Sequence, residues 1–142
     1  ALSCAKLESV GVPRRRGRAI QALAKAVHEG ALRLDGSPSL DAALEGLHAI
    51  ADMSATTAHY IAMRVYRESD AFPSNNAWLR KSVCNNGTPV SVPELESRAD
   101  NWRPWRAYAA MHLWDSFLAE QHDARRLWDR DSLPPPQANQ VA

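Results

Sequence analysis

A chain of 142 residues, 45% hydrophobic and 23% charged, fits one soluble globular domain with a real core. No apolar run approaches the roughly 18 residues of a membrane span, and no membrane partner is expected. The net charge of +1 argues against a strongly basic or acidic protein. It is unevenly spread, however: residues 1–30 carry six cations against two anions, and the remainder eleven against fourteen. A basic end on a near-neutral chain is a weak pointer to a polyanion.

Cys4 and Cys84 are far apart and belong to no CxxC or Cys/His pattern. They read as free thiols in a reducing compartment, with no metal site. The opening ALSCAKLESVGV is too short and too mixed for a signal peptide. It lacks an initial Met, so the chain reads as a piece of a longer one.

The predicted elements are all helical. Pro13 suits a first turn, and Ile20, Leu23, Ala24 and Val27 recur at helical spacing until Gly30. LDGSP is a loop in which Ser37 can cap and Pro38 can open the next helix, with the stripe Leu40, Leu44, Leu47 and Ile50. After a break at ADMS, a helix from about residue 55 to 67 places Ala58, Ile61, Ala62 and Val65 on one face. ESDAFPSNN connects to a short helix over about 77–84. NNGTPVSVP is loop, with Asn86-Gly87 as a turn signal. Pro93 opens a helix to about Asn101. Pro104 opens the longest one, to about Glu120, with Trp105, Ala109, His112 and Leu113 on one side. DSLPPPQANQVA reads as a frayed or polyproline-type tail. The fold class is all-α, a compact multi-helix domain over residues 1–131, followed by a Pro-rich tail over 132–142.

Three stretches stand in a telling order: VGVPRRRGRAI, LHAIADMSATTAHYIAMRVYRESDAFPSNNAWLRKSV and RADNWRPWRAYAAMHLW. They resemble the helix-hairpin-helix DNA glycosylases, in the DNA-3-methyladenine glycosylase II (AlkA-like) branch, over about residues 5–118. The resemblance implies a base-excision repair fold without cofactor or metal. It also implies double-stranded DNA as partner and a bacterial cytoplasmic, nucleoid-associated location. In that family a hairpin of the type LPGIGPWTA grips a DNA phosphate, its glycines admitting the phosphate to backbone N–H groups. The matching stretch here is IADMSATTA. The hairpin positions are therefore Ala51, Asp52, Met53, Ser54 and Ala55, with Asp52 and Ser54 in place of glycines. A like charge and a Cβ at these points imply a weakened grip, with Asp52 and Ser54 capping the next helix instead.

The family's catalytic aspartate follows DAFP at a fixed interval, and that interval ends on Asn76. A neutral amide lacks the carboxylate's stabilisation of a cationic sugar, and Asn is among the best helix caps. Tyr60 and Trp114 match aromatics of the pocket that receives a flipped base, although Trp114 serves equally well as a core aromatic. Thr56 replaces the hairpin Trp. Trp102, Arg103, Trp105 and Arg106 read as scaffold.

The resemblance thus implies a degenerate, inactive member that meets DNA weakly through the basic patch Arg14, Arg15, Arg16 and Arg18. The family's N-terminal part has no match here, and a second copy or a partner is expected to cover the surface it leaves. Two alternatives stand beside this reading: an active alkylbase glycosylase using another carboxylate, Asp70 being nearest in sequence, or a non-catalytic scaffold or interaction module.

Overall fold

The computed structural model describes residues 7–36, 38–84 and 87–131, with backbone alone beyond residue 119. Among the described residues there are six α-helices and no strand: α1 (Arg14–His28), α2 (Leu40–His48), α3 (Ala55–Arg64), α4 (Ala77–Ser82), α5 (Val92–Ala99) and α6 (Arg106–Asp131). A 3-10 turn over Leu7–Val10 precedes α1. No helix among the described residues is long and apolar enough to cross a membrane.

Local chemistry sets the helix starts. Ser39, Ser54, Asn76 and Ser91 each stand in extended backbone and accept a backbone N–H of the following turn, which satisfies a donor that would otherwise lack a partner. The cap of α2 is therefore Ser39. Pro38 stands outside the helix rather than in its first turn, because the chain turns helical only at Leu40. The expected Ser37 cap lies outside the described residues. Pro13 likewise occupies the position before α1, with φ −56° and ψ 139°. Only Pro93 sits inside a first turn as expected.

α3 stops at Arg64, short of the expected 67, and Val65 is exposed. Just beyond it, Arg67 takes a left-handed φ of 60°, a conformation that cannot continue a right-handed helix. α6 starts two residues after Pro104 and runs past Glu120 to Asp131. Its inward side is Ala107, Ala110, Leu113 and Trp114. Trp105 and His112, expected on one side with Leu113, are exposed: Trp105 lies before the helix and does not share its register, and His112 stands about 200° round the helix from the buried Ala110. The Pro-rich tail expected over 132–142 lies outside the described residues.

Two apolar clusters form the core. Leu32, Ala43, Leu47, Ala58, Ala62, Tyr66 and Ala71 gather α2, α3 and their loops, with Leu23 of α1 packed against them. Phe72, Leu79, Val90, Leu95, Ala99 and Ala110 gather α4, α5 and α6. The DAFP segment joins them: Ala71 belongs to the first cluster and Phe72 to the second. The residues just after DAFP are therefore held at the seam.

Candidate functional site

Asn76 emerges at that seam. Its backbone N–H donates to the Pro73 carbonyl at 2.8 Å. Its side-chain Oδ1 accepts from the N–H groups of Trp78 and Leu79, at 2.9 and 3.1 Å, and from Trp114 Nε1 at 3.3 Å. Three donors converge on one amide oxygen, which fixes the orientation of the group. A cavity of about 280 Å³ opens beside it, lined by Thr56, Thr57, Tyr60, Asn76 and Trp114. The Tyr60 and Trp114 rings stand 6.0 Å apart, tilted by 57°. Asn76, Tyr60, Trp114 and Thr56, singled out from four places in the sequence, thus share one cleft. Thr57 was missed. Its signal was its place one helical turn before Tyr60, on the same face of α3.

The strip that presents Asn76 is clamped from several sides. Phe72 N–H donates to His59 Nδ1 at 3.2 Å, so the imidazole proton sits on Nε2. Burial, more than the neighbouring His48 and Arg106 charges, holds His59 below the usual histidine range, and Glu96 opposes that shift. The buried Ser74 hydroxyl donates to Glu96 at 2.7 Å. Ser69 carbonyl accepts from Ala107 N–H at 2.8 Å. Asp70 accepts two hydrogen bonds from Arg106, both at 2.7 Å, and one from Arg103. Arg103 and Arg106 are scaffold in this sense, while Trp102 packs edge-on against Phe72. Asp70 is absent from the lining of the Asn76 cavity, and both of its oxygens are taken by guanidinium groups.

The α2–α3 turn differs from its expected chemistry. Asp52 holds φ 61°, the left-handed conformation that suits glycine and that Asp tolerates better than most residues. Its carboxylate does not cap α3. It instead accepts from Arg18 Nε and Nη2 at 2.7 and 3.3 Å, with Arg15 Nε at 3.6 Å. The Arg18 guanidinium holds the Asp52 carboxyl below the usual carboxylate range. Capping falls to Ser54 alone, whose Oγ accepts Thr57 N–H at 3.1 Å and also bonds the Thr57 hydroxyl.

The arginine patch is correspondingly less free than its sequence implies. Arg15 and Arg18 face Asp52, and Arg14 lies 3.6 Å from Glu8. Arg16, with Arg15, Met53 and Ser54, lines a cavity of about 360 Å³ between α1 and α3. Ala51 is exposed at the turn, and Ala55 is the first residue of α3.

Comparison with known proteins puts this arrangement in context. Over 105 residues, 74% of its length, the chain is 36% identical to the probable bifunctional transcriptional activator/DNA repair enzyme AlkA of Mycobacterium tuberculosis. Over 108 residues, 76% of its length, it is 31% identical to DNA-3-methyladenine glycosylase 2 of Escherichia coli. The chain is AlkA-like over this stretch. It spans 21% of the mycobacterial protein and 37% of the E. coli one. No family model matches it. Among the described residues of this AlkA-like chain, no group of three or more His, Cys, Asp or Glu could hold a metal ion.

Proposed function

We propose that this AlkA-like chain is a degenerate glycosylase module of alkylated-DNA repair, one that meets DNA weakly and does not cleave the N-glycosidic bond. The observation that carries the reading is the state of Asn76. At the point of the cleft where a carboxylate would act, a neutral amide spends its oxygen on Trp78, Leu79 and Trp114. Base excision by this route develops positive charge on the sugar. Loss of one such stabiliser costs about 3 kcal/mol or more, roughly a hundredfold or more in rate. Asp70 offers no substitute in this reading, since its carboxylate is neutralised by Arg103 and Arg106.

The Tyr60 and Trp114 rings line the cavity beside Asn76 and offer an aromatic surface to a base. Contact with duplex DNA falls to the α2–α3 hairpin and the patch Arg14, Arg15, Arg16 and Arg18, and Asp52 keeps it weak by holding two of those cations. The proposal carries a cytoplasmic, nucleoid-associated location with it.

The test is a binding titration with alkylated and undamaged duplexes at several salt concentrations, followed by alkaline treatment of the recovered DNA. Weak binding that falls steeply with salt, with no new alkali-labile sites, is the expected result. Abundant abasic sites would overturn the proposal.

A further inference from the structure

α3 and α6 run antiparallel and face each other at two places, residue 60 opposite 114 and residues 63–67 opposite 107–111. At one end Tyr60 meets Trp114. At the other, a separate cavity of about 300 Å³ is lined by Met63, Arg64, Arg67, Glu68, Tyr108 and Met111, among others. Arg64 stands between the two: its guanidinium lies 5.7 Å over the Tyr60 ring and its Nε 3.5 Å from the Tyr60 hydroxyl. Arg67 places a second cation just past the end of α3, from a left-handed backbone position that is sterically costly for such a residue. Tyr108 of this lining packs edge to face with Trp105 at 5.8 Å, and each remains about 60% exposed. Taken along the facing sides of α3 and α6, the order is aromatic, cation, cation, aromatic.

We infer that this groove is a track for single-stranded DNA, in which Arg64 and Arg67 take backbone phosphates and Tyr108 with Trp105 stacks a neighbouring base. Single strands are the ligand that presents anionic charge and free base faces in alternation. A duplex hides its base faces. An acidic protein segment matches the guanidinium groups but leaves two large aromatic surfaces uncovered. Glu68 is the one acid among the lining residues, and the two guanidinium groups outnumber it. Met63 and Met111 supply a polarisable, adaptable floor. The inference rests on the proposed function only in sharing the Tyr60 end of the cleft, and undamaged DNA tests it separately.

The experiment is fluorescence anisotropy of the full 142-residue chain with an end-labelled oligothymidylate of about 12 nucleotides, within the site sizes of aromatic single-strand grooves. The unlabelled duplex of equal length and polyglutamate serve as competitors. The strand is expected to bind more tightly than the duplex and to resist polyglutamate at equal charge. Arg64→Gln with Arg67→Gln should flatten the slope of log K against log salt by about 1.4, two phosphates at roughly 0.7 each. Tyr108→Ala should weaken binding about tenfold, while Tyr108→Phe, which keeps the stacking face, should retain it. Circular dichroism of each variant confirms folding. Equal binding of duplex, ready displacement by polyglutamate, or unchanged affinity in the folded variants would overturn the inference. Binding of alkylated duplex without binding of single strands would overturn it while leaving the proposed function intact.

Discussion

Asp52 places a carboxylate at a left-handed turn, and α1 answers it with Arg18 and Arg15. In the proposed reading the cost of this negative charge is therefore indirect: the hairpin occupies cations that would otherwise be open to a phosphate. Asp52→Asn keeps the turn and releases both arginines. It should raise duplex affinity several-fold at low salt and steepen the salt slope by about one to two units, one for each freed cation that reaches a phosphate. An unchanged slope would show that those arginines do not face DNA. His59 makes a second prediction. Its folded pKa lies below the usual 6.5, chiefly through burial, so the folded state favours the neutral ring. The corresponding stability is present above about pH 6.5 and is lost as pH falls through the lower folded value. Protonation at Nδ1 also breaks the bond from Phe72 N–H. Asn at this position offers an acceptor without the titration, so in His59→Asn the decline in melting temperature between pH 7 and 5 should be shallower than in the wild type. A third concerns Asn76→Asp. The same three donors can serve a carboxylate, so the variant should fold. Charge alone should not restore excision while Asp52 still holds Arg15 and Arg18 away from DNA.

The helices owe their starts to local side chains and their placement to two small cores. Ser54→Ala removes the acceptor for Thr57 N–H and should cost about 1 kcal/mol by urea unfolding. Leu79→Ala, at a fully buried position of α4, should cost about 2–5 kcal/mol and loosen the segment behind Asn76. These local features were readable in the sequence: Ser54, Asn76 and Pro93 act within a turn of where they stand, and the stripes of α2 and α3 follow helical period. The partners of Asp52 were not readable, because Arg18 lies 34 residues away and only the packing of α1 against the hairpin joins them. The same holds for Asp70, whose two arginines arrive from beyond residue 100. The sequence pointed to Ser37 with Pro38 in the first turn, whereas Ser39 is the cap, because periodicity does not fix the first residue of a helix.

At the scale of the whole chain, the cleft exists because one strip, DAFP, belongs to both cores. Ala71 is packed on the α2–α3 side and Phe72 on the α4–α6 side, so Thr56, Tyr60, Asn76 and Trp114 meet where the two cores join. The resemblance to the AlkA branch pointed to these four together, and they line one cavity. The second cavity, lined by Arg67 and Tyr108 among others, depends on α3 facing α6, which no local pattern records. In the proposed reading the neutral amide in this cleft leaves the chain unable to release a base. Excess protein mixed with alkylated duplex DNA should release methylated purines no faster than spontaneous depurination when the release is followed over time. Release at a rate comparable to an intact AlkA-type glycosylase would show that the chain excises alkylated bases despite Asn76.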